Sequence, residues 1–512
     1  MKKNTPVVAG AAAVLCILSF TTAAAEPAVR GPEKVQDWYD AGQRFIRESK
    51  AVKPITGRAK NVILFVGDGM GVSTQTAARI LEGQLRGQPG EENRLSFETF
   101  PYSALSKTYS WDQQTSDSAP TISAIMTGYK TREGMLGVDH LTPRNDCDAA
   151  NVAAHSVETM LELAAEHGKA TGVVTTARLT HATPAGAYAH VPARDWEADT
   201  HQPAGCGVKD IARQLIEVSP AVRKSLKVAL GGGRSAFLPR QPDAATVDDP
   251  EYGPVKGGRT DGRNLTAEWL SSRGNGAQYV WNKAQFDAID LAGTEHLLGL
   301  FEPSHMRYEA DRAQDQAGEP SLTEMTDKAI RLLSRQRQGF FLEVEAGRID
   351  HGHHGGNAKR ALLDTIELSN AVRRAMELTR ESDTLIIVTA DHSHVFTIAG
   401  YPHRGNNILG VVKDVPEVDG NPTAPAKDQK GLPYTTLGYQ NGPGHREGPR
   451  TDLSAVDTTE LDFHQEAAIP MESETHGGED VAIWARGPRA HLVRGSMEEN
   501  WIFHVMRNAF GF

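Results

Sequence analysis

The chain has 512 residues, with 54 Lys and Arg against 65 Asp and Glu, a net charge of −11 and only 3 Cys. That length accommodates one large domain with insertions or two to three smaller ones, and the ordinary apolar content supports a packed core rather than disorder. The acidic balance argues against a general nucleic-acid or anionic-membrane binder. Three cysteines are too few to staple a mini-scaffold.

The first predicted element is an export signal. Lys2 and Lys3 precede an apolar stretch from Val7 to Phe20 and then Ala23-Ala24-Ala25, the charged, apolar and small-residue order of a cleaved secretory segment. Cleavage after Ala25 would send the remaining chain to a periplasmic or extracellular space without Cys16. Cys147 and Cys206 are then expected to form one structural disulfide, with free thiols or metal ligands as the alternative. No other run reaches the ~18 apolar residues that span a bilayer, and Val505 to Phe512 offers no hydrophobic tail for an anchor.

Residues 33–50 set Val35, Trp38, Tyr39, Gly42, Phe45 and Ile46 at helical spacing with charges between them, an amphipathic helix ahead of the core. Continuous apolar runs follow at Val62–Val66, Gly172–Val174, Phe340–Val344 and Leu385–Val388, with helical segments such as Ser156–His167 and Lys359–Thr379 near them. Strands buried on both faces and alternating with helices predict an α/β fold, a large mostly parallel central sheet with helices on both sides. Residues 237–264 and 400–475, rich in turn-forming residues, break the alternation and read as insertions with a functional or interface role.

Ligands in such sheets bind beyond the carboxyl ends of the strands, and here those ends share one chemistry. The first run ends in Gly67-Asp68-Gly69, the third in Glu345 and then Asp350-His351-Gly352-His353-His354, the fourth in Asp391-His392. One Asp-Gly or Asp-His can be a turn or a cap, but carboxylate and imidazole at three strand ends predict a multi-metal site. Asp350 and His354 are four residues apart and would share one helical face. Thr115-Ser116-Asp117-Ser118-Ala119 precedes a small-residue segment, Thr121–Thr127, that could open a helix. Ser118 would then sit where backbone N–H groups favour an anion.

Asp117-Ser118-Ala119, NVILFVGDGMGVST, GVVTTARLTHATPAGAYAH, LGGGR, VEAGRIDHGHH, VTADHSHVF and ETHGGEDVAIWARGP together resemble alkaline phosphatase, closer to the animal form than to the short enteric-bacterial one. The likeness runs from about residue 33 to the C-terminus. It implies a metal-dependent phosphomonoesterase that acts on small phosphate monoesters at alkaline pH through a phosphoserine on Ser118. It further implies one zinc held by Asp350, His354 and His476, a second by Asp68, Asp391 and His392, and a magnesium by Asp68, Thr183 and Glu345 with His181 beside it. Arg194 would fork onto two phosphate oxygens, Asp117 would orient Arg194, and His351 would lie near the substrate. A calcium site would use Glu251, the Phe301 carbonyl, Glu302 and Glu319.

The resemblance also implies a homodimer, a helical arm over 26–55 and a catalytic domain over 56–512, with insertions at about 237–320 and 400–475. Pro120 and Ile122 stand where the family keeps only small residues. A sulfatase signature would need Arg at 122. Phosphodiesterases and nucleotide pyrophosphatases of the same superfamily usually use Thr as nucleophile and lack a counterpart of Arg194. A non-catalytic periplasmic metal-binding protein would leave Ser118 and Arg194 unexplained.

Overall fold

The computed structural model describes Met1 and residues 34–240, 247–255, 257–416 and 424–512. The predicted export signal therefore lies outside the described residues, apart from Met1. Ten strands form the central sheet: β1 (Asn61–Gly67), β2 (Tyr102–Lys107), β3 (Ala170–Arg178), β4 (Leu226–Gly232), β5 (Ala277–Val280), β6 (His296–Leu300), β7 (Phe340–Ala346), β8 (Thr384–Thr389), β9 (Val481–Arg486) and β10 (Gly495–Glu498). Their order is β10-β2-β9-β8-β1-β7-β3-β4-β6-β5. All pairs are parallel except the two made by β9, which runs against β8 and β2.

The four apolar runs of the sequence are β1, β3, β7 and β8, adjacent strands at the middle of the sheet. All seven residues of β1 and of β7 are buried, because helices cover both faces and leave no side for polar alternation. Each Leu, Ile, Val or Phe so buried contributes about 1.5–3 kcal/mol. Two apolar layers result, one on each face of the sheet.

Helices α1 (Val35–Ala51), α2 (Val72–Leu85), α3 (Ser118–Thr127), α4 (Arg348–His354) and α5 (Ala358–Leu378) carry the features that matter here. The helix expected over Ser156–His167 begins only at Met160, because the Thr159 side chain accepts from the Glu162 N–H and caps it there. The amphipathic α1 forms as expected, but none of its residues is buried. Strands Leu437–Gly442 and Ala467–Pro470 of the 400–475 stretch join Phe396–Ile398, just before it, in a separate three-stranded sheet. Cys147 and Cys206 are joined in a disulfide. Among the described residues no helix is long and apolar enough to cross a membrane.

Candidate active site

The carboxyl ends of β1, β7 and β8 meet at one rim. Val66 stands opposite both Glu345 and Thr389 in the sheet register, so Asp68, Glu345 and Asp391 leave adjacent strands side by side. Gly69 makes the turn after β1 with φ +68°, and a Cβ there would lie 2.3 Å from His394 Nε2. Only glycine combines that backbone with so close an approach.

Ser118 opens α3, and all ten residues of that helix are buried. Its N-cap is Asp117, whose Oδ2 accepts from the Ala119 N–H at 3.2 Å, as a capping carboxylate should. Pro120 is the third helical residue, a position in the first turn that needs no N–H partner within the helix. Ile122 is fully buried, and the space it needs is left by Gly186, where an added Cβ would fall 2.7 Å from Ile122 Cγ2. The bulk that departs from the small-residue pattern is thus absorbed behind the helix rather than at Ser118.

Ser118 Oγ donates to Asp68 Oδ1 at 3.3 Å and lies 3.1 Å from His392 Nε2. Asp391 Oδ1 accepts from the N–H groups of Gly69 (3.1 Å) and His392 (3.0 Å), leaving its Oδ2 turned inward. On the other side, His354 Nε2 lies 3.3 Å from Asp350 Oδ1 and 3.1 Å from His476 Nε2. The i,i+4 spacing on α4 places the first pair together. The His476 ring is oriented by the Ser116 carbonyl, 2.7 Å from Nδ1. The third group gathers Asp68, His181 and Glu345, with Thr175 Oγ1 donating to Glu345 Oε2.

Arg194 reaches Asp117, the residue that caps α3. Its Nη1 donates to Asp117 Oδ1 at 2.5 Å and its Nη2 lies 2.7 Å from His181 Nε2. Burial alone would raise the Asp117 pKa, but the charge and hydrogen bond of Arg194 outweigh it and hold the carboxyl below its usual range. The His351 ring lies 5.5 Å from that of His181, beside the third group.

Electrostatics distinguish this rim from an ordinary polar core. Burial, then Asp391 and Asp350, push Asp68 well above the usual carboxylate pKa, and burial with Asp68 does the same to Glu345. Asp68 Oδ2, Thr183 Oγ1, Glu345 Oε1, Asp391 Oδ2 and His181 Nδ1 are all buried without a hydrogen-bond partner. Buried polar atoms are nearly always paired, and oxygen and imidazole donors fit hard and borderline divalent cations.

Sequence reasoning assigned no role to two residues that complete the site. His394 Nε2 lies 2.9 Å from Asp350 Oδ1 and its Nδ1 lies 2.5 Å from Glu474 Oε2, so Glu474 and His394 fix the carboxylate of Asp350 from behind. Both residues lie inside quoted motifs, VTADHSHVF and ETHGGED.

The three glutamates suggested for calcium also come together, around Arg307. Its Nη2 donates to Glu251 Oε1, its Nε lies 3.5 Å from Glu302 Oε1, and its backbone N–H donates to Glu319 Oε1 at 2.9 Å. The Phe301 carbonyl accepts from Arg234 Nη1 at 3.4 Å. Burial, with Asp315 next, pushes Glu302 up to about 7. Asp315 is an acid the sequence reading had not included.

The alkaline phosphatase family model matches residues 59–512. The tissue-nonspecific isozyme of alkaline phosphatase from Felis catus is 44% identical over 489 residues, 93% of this chain and 89% of the relative. An alkaline phosphatase from Gadus morhua is 44% identical over 479 residues, 92% and 96% of the two chains. The crystal structure of the Thermus thermophilus alkaline phosphatase superposes with a TM-score of 0.61 at 24% identity, covering 90% of this chain and 92% of that one, a likeness of fold. With this extent of identity joined to the rim described above, the chain belongs to the alkaline phosphatase family and is a phosphomonoesterase.

Proposed function

We propose that Ser118 is the nucleophile of a two-step hydrolysis and that the rim holds two zinc ions and one magnesium ion. Asp350, His354 and His476 would hold one zinc, Asp68, Asp391 and His392 the other, and Asp68, Thr183 and Glu345 the magnesium, with His181 alongside. The observation that supports this most directly is the set of five buried donor atoms without a protein partner. Bound there, the cations would supply the positive charge that favours ionisation of the Ser118 hydroxyl and of a water molecule, and that stabilises the departing oxygen.

The chain's own groups do the rest. Arg194, pre-oriented by Asp117, offers a planar, permanently charged fork to two phosphate oxygens. Ser118 Oγ, its proton lost to solvent, would form the new O–P bond while the leaving oxygen departs as an alkoxide with the electron pair of the old one and takes up a proton from water to become the alcohol. The N-terminus of α3 keeps the resulting phosphoserine near backbone N–H groups until water releases phosphate and restores the hydroxyl. His351, beside His181, borders the phosphate pocket.

We further propose that the Glu251–Glu302–Glu319 cluster takes calcium, that the protein is exported through its N-terminal segment, and that it forms a homodimer through α1. Val35, Trp38, Tyr39, Phe45 and Ile46 are all exposed on that helix, and a second copy would cover them. Sedimentation of the chain with and without residues 34–51 tests the dimer. Hydrolysis of an aryl phosphate at alkaline pH, abolished by chelation and restored by zinc with magnesium, tests the catalytic reading. No turnover after add-back would sink it.

A further inference from the structure

A cavity of about 590 Å³ touches the two ends of α4, at Arg348, its first residue, and at Gly355, just beyond His354. It shares that helix with the catalytic rim. His305 lines it, and the His305 ring centroid is 4.1 Å from that of His351. Through His305 the cavity therefore adjoins His351, at the edge of the rim that carries Ser118.

Its walls are cationic. Arg307, Arg348 and Arg360 face it against one carboxylate, Asp311. Two of these guanidiniums are occupied: Arg307 by Glu251 and Glu302, and Arg360 by Asp311 and Asp462. Arg348 is different. Its guanidinium carbon stands 3.8 Å over the Tyr308 ring, and its Nε is buried with no hydrogen-bond partner. Asp364 is close enough to feel its charge, but no ion pair forms between them. A part-buried guanidinium lacking a partner beside an active site is an anion receptor in waiting.

The three imidazoles of His181, His305 and His351 cluster closely enough to suggest a metal instead. Their surroundings speak against it. Arg178 Nη1 lies 2.5 Å from His305 Nε2 and its backbone N–H points at His305 Nδ1, while Arg194 Nη2 lies 2.7 Å from His181 Nε2. Those N–H donors already face the ring nitrogens of His305 and His181 that a metal shared by the three rings would need.

We propose that this cavity is a second anion subsite, centred on Arg348 and Tyr308, that holds a phosphate group carried on the substrate's leaving group. The enzyme then favours small organic bisphosphates, hydrolysing one phosphate at Ser118 while the other rests on Arg348. This deepens the Ser118 reading and depends on it.

The test is steady-state kinetics of the zinc- and magnesium-loaded protein on alkanediol monophosphates, the matching bisphosphates of three to six carbons, and ω-carboxyalkyl phosphates of equal length. At one length the bisphosphate should exceed the monophosphate in kcat/KM by about tenfold, the worth of one good charge-assisted contact. Arg348→Met should remove that advantage through KM, leaving aryl phosphate turnover and metal content unchanged. Arg348→Lys, which keeps the charge but not the fork, should lose at least about a threefold part of it, and decides the matter if the Met variant does not fold. No bisphosphate advantage at any length, or one that survives in both variants, overturns the subsite. An equal gain with the carboxylate overturns its phosphate character. If the unaltered protein hydrolyses aryl phosphate but shows no such preference, the subsite alone falls; if it hydrolyses neither, the Ser118 reading falls with it.

Discussion

The catalytic rim and the Glu251–Glu302–Glu319 cluster are both assembled from acids withdrawn from water, but they are neutralised differently. In the cluster one side chain, Arg307, reaches two of the carboxylates and its backbone N–H reaches the third. At the rim the nearest guanidinium, Arg194, is already committed to Asp117, and Asp68, Glu345 and Asp391 keep inward oxygens with no partner. A buried carboxylate that the protein does not pair must be protonated or meet an external cation. The rim's acids are therefore left for a proton or an external cation to neutralise, while the cluster carries an internal substitute.

The largest effect that would sharpen this contrast comes from Ser118→Ala. Turnover should fall at least about 10⁴-fold while zinc and magnesium content stays at the wild-type level; retained activity would break the assigned mechanism. Chelation comes next. Removing the metals should abolish turnover and lower the melting temperature by several degrees, since ligands that bind only the folded state stabilise it. Zinc with magnesium should restore turnover and most of the lost melting temperature, whereas calcium alone should not restore turnover.

Arg194→Lys should reduce kcat/KM for monoesters by roughly 10- to 100-fold, because a point charge replaces a two-pronged donor; kinetics on an aryl phosphate measures it. At the other cluster, Glu319→Gln should leave turnover within about twofold and remove the melting-temperature gain that added calcium gives the unaltered protein. An equal calcium response in that variant would rule the cluster out as the binding place.

The smallest effect is a pH slope. Glu302 has a folded pKa of about 7 against an ordinary 4.5, chiefly through burial. Between those values the folded chain holds a proton that the unfolded chain releases, so calcium-free stability should decline as pH rises across that window and level off above it. Calcium at Glu302 should flatten the slope. Thermal melts from pH 4 to 8, with and without calcium, measure both curves.

Much of the rim was legible because strands of a doubly covered parallel sheet are continuous apolar runs, and the acids that end them stand out. Asp350 and His354 could be paired from helical spacing alone. The three strands at one side of the sheet, β2, β9 and β10, were harder. β2 alternates buried and exposed residues over six positions, a pattern too short to separate from a loop, and β9 reverses direction, which no local signal announces. Glu474 and His394 were in view but had no assigned task, because a residue that acts through another's carboxylate contributes geometry rather than chemistry of its own. Arg348 was hidden for a related reason: what marks it is a missing partner, and a partner's absence is visible only in three dimensions.

Ile122 and Gly186 form a two-position lock with consequences for how α3 can change. A methyl group at 186 would collide with the Ile122 side chain, so the two positions are coupled beyond simple additivity. Replacing Gly186 alone should cost stability behind Ser118. Shrinking Ile122 alone should open a void in the same place. A library that varies either site by itself would score both as immutable, whereas paired exchange of bulk across the contact should recover working enzymes that single-site scanning never samples.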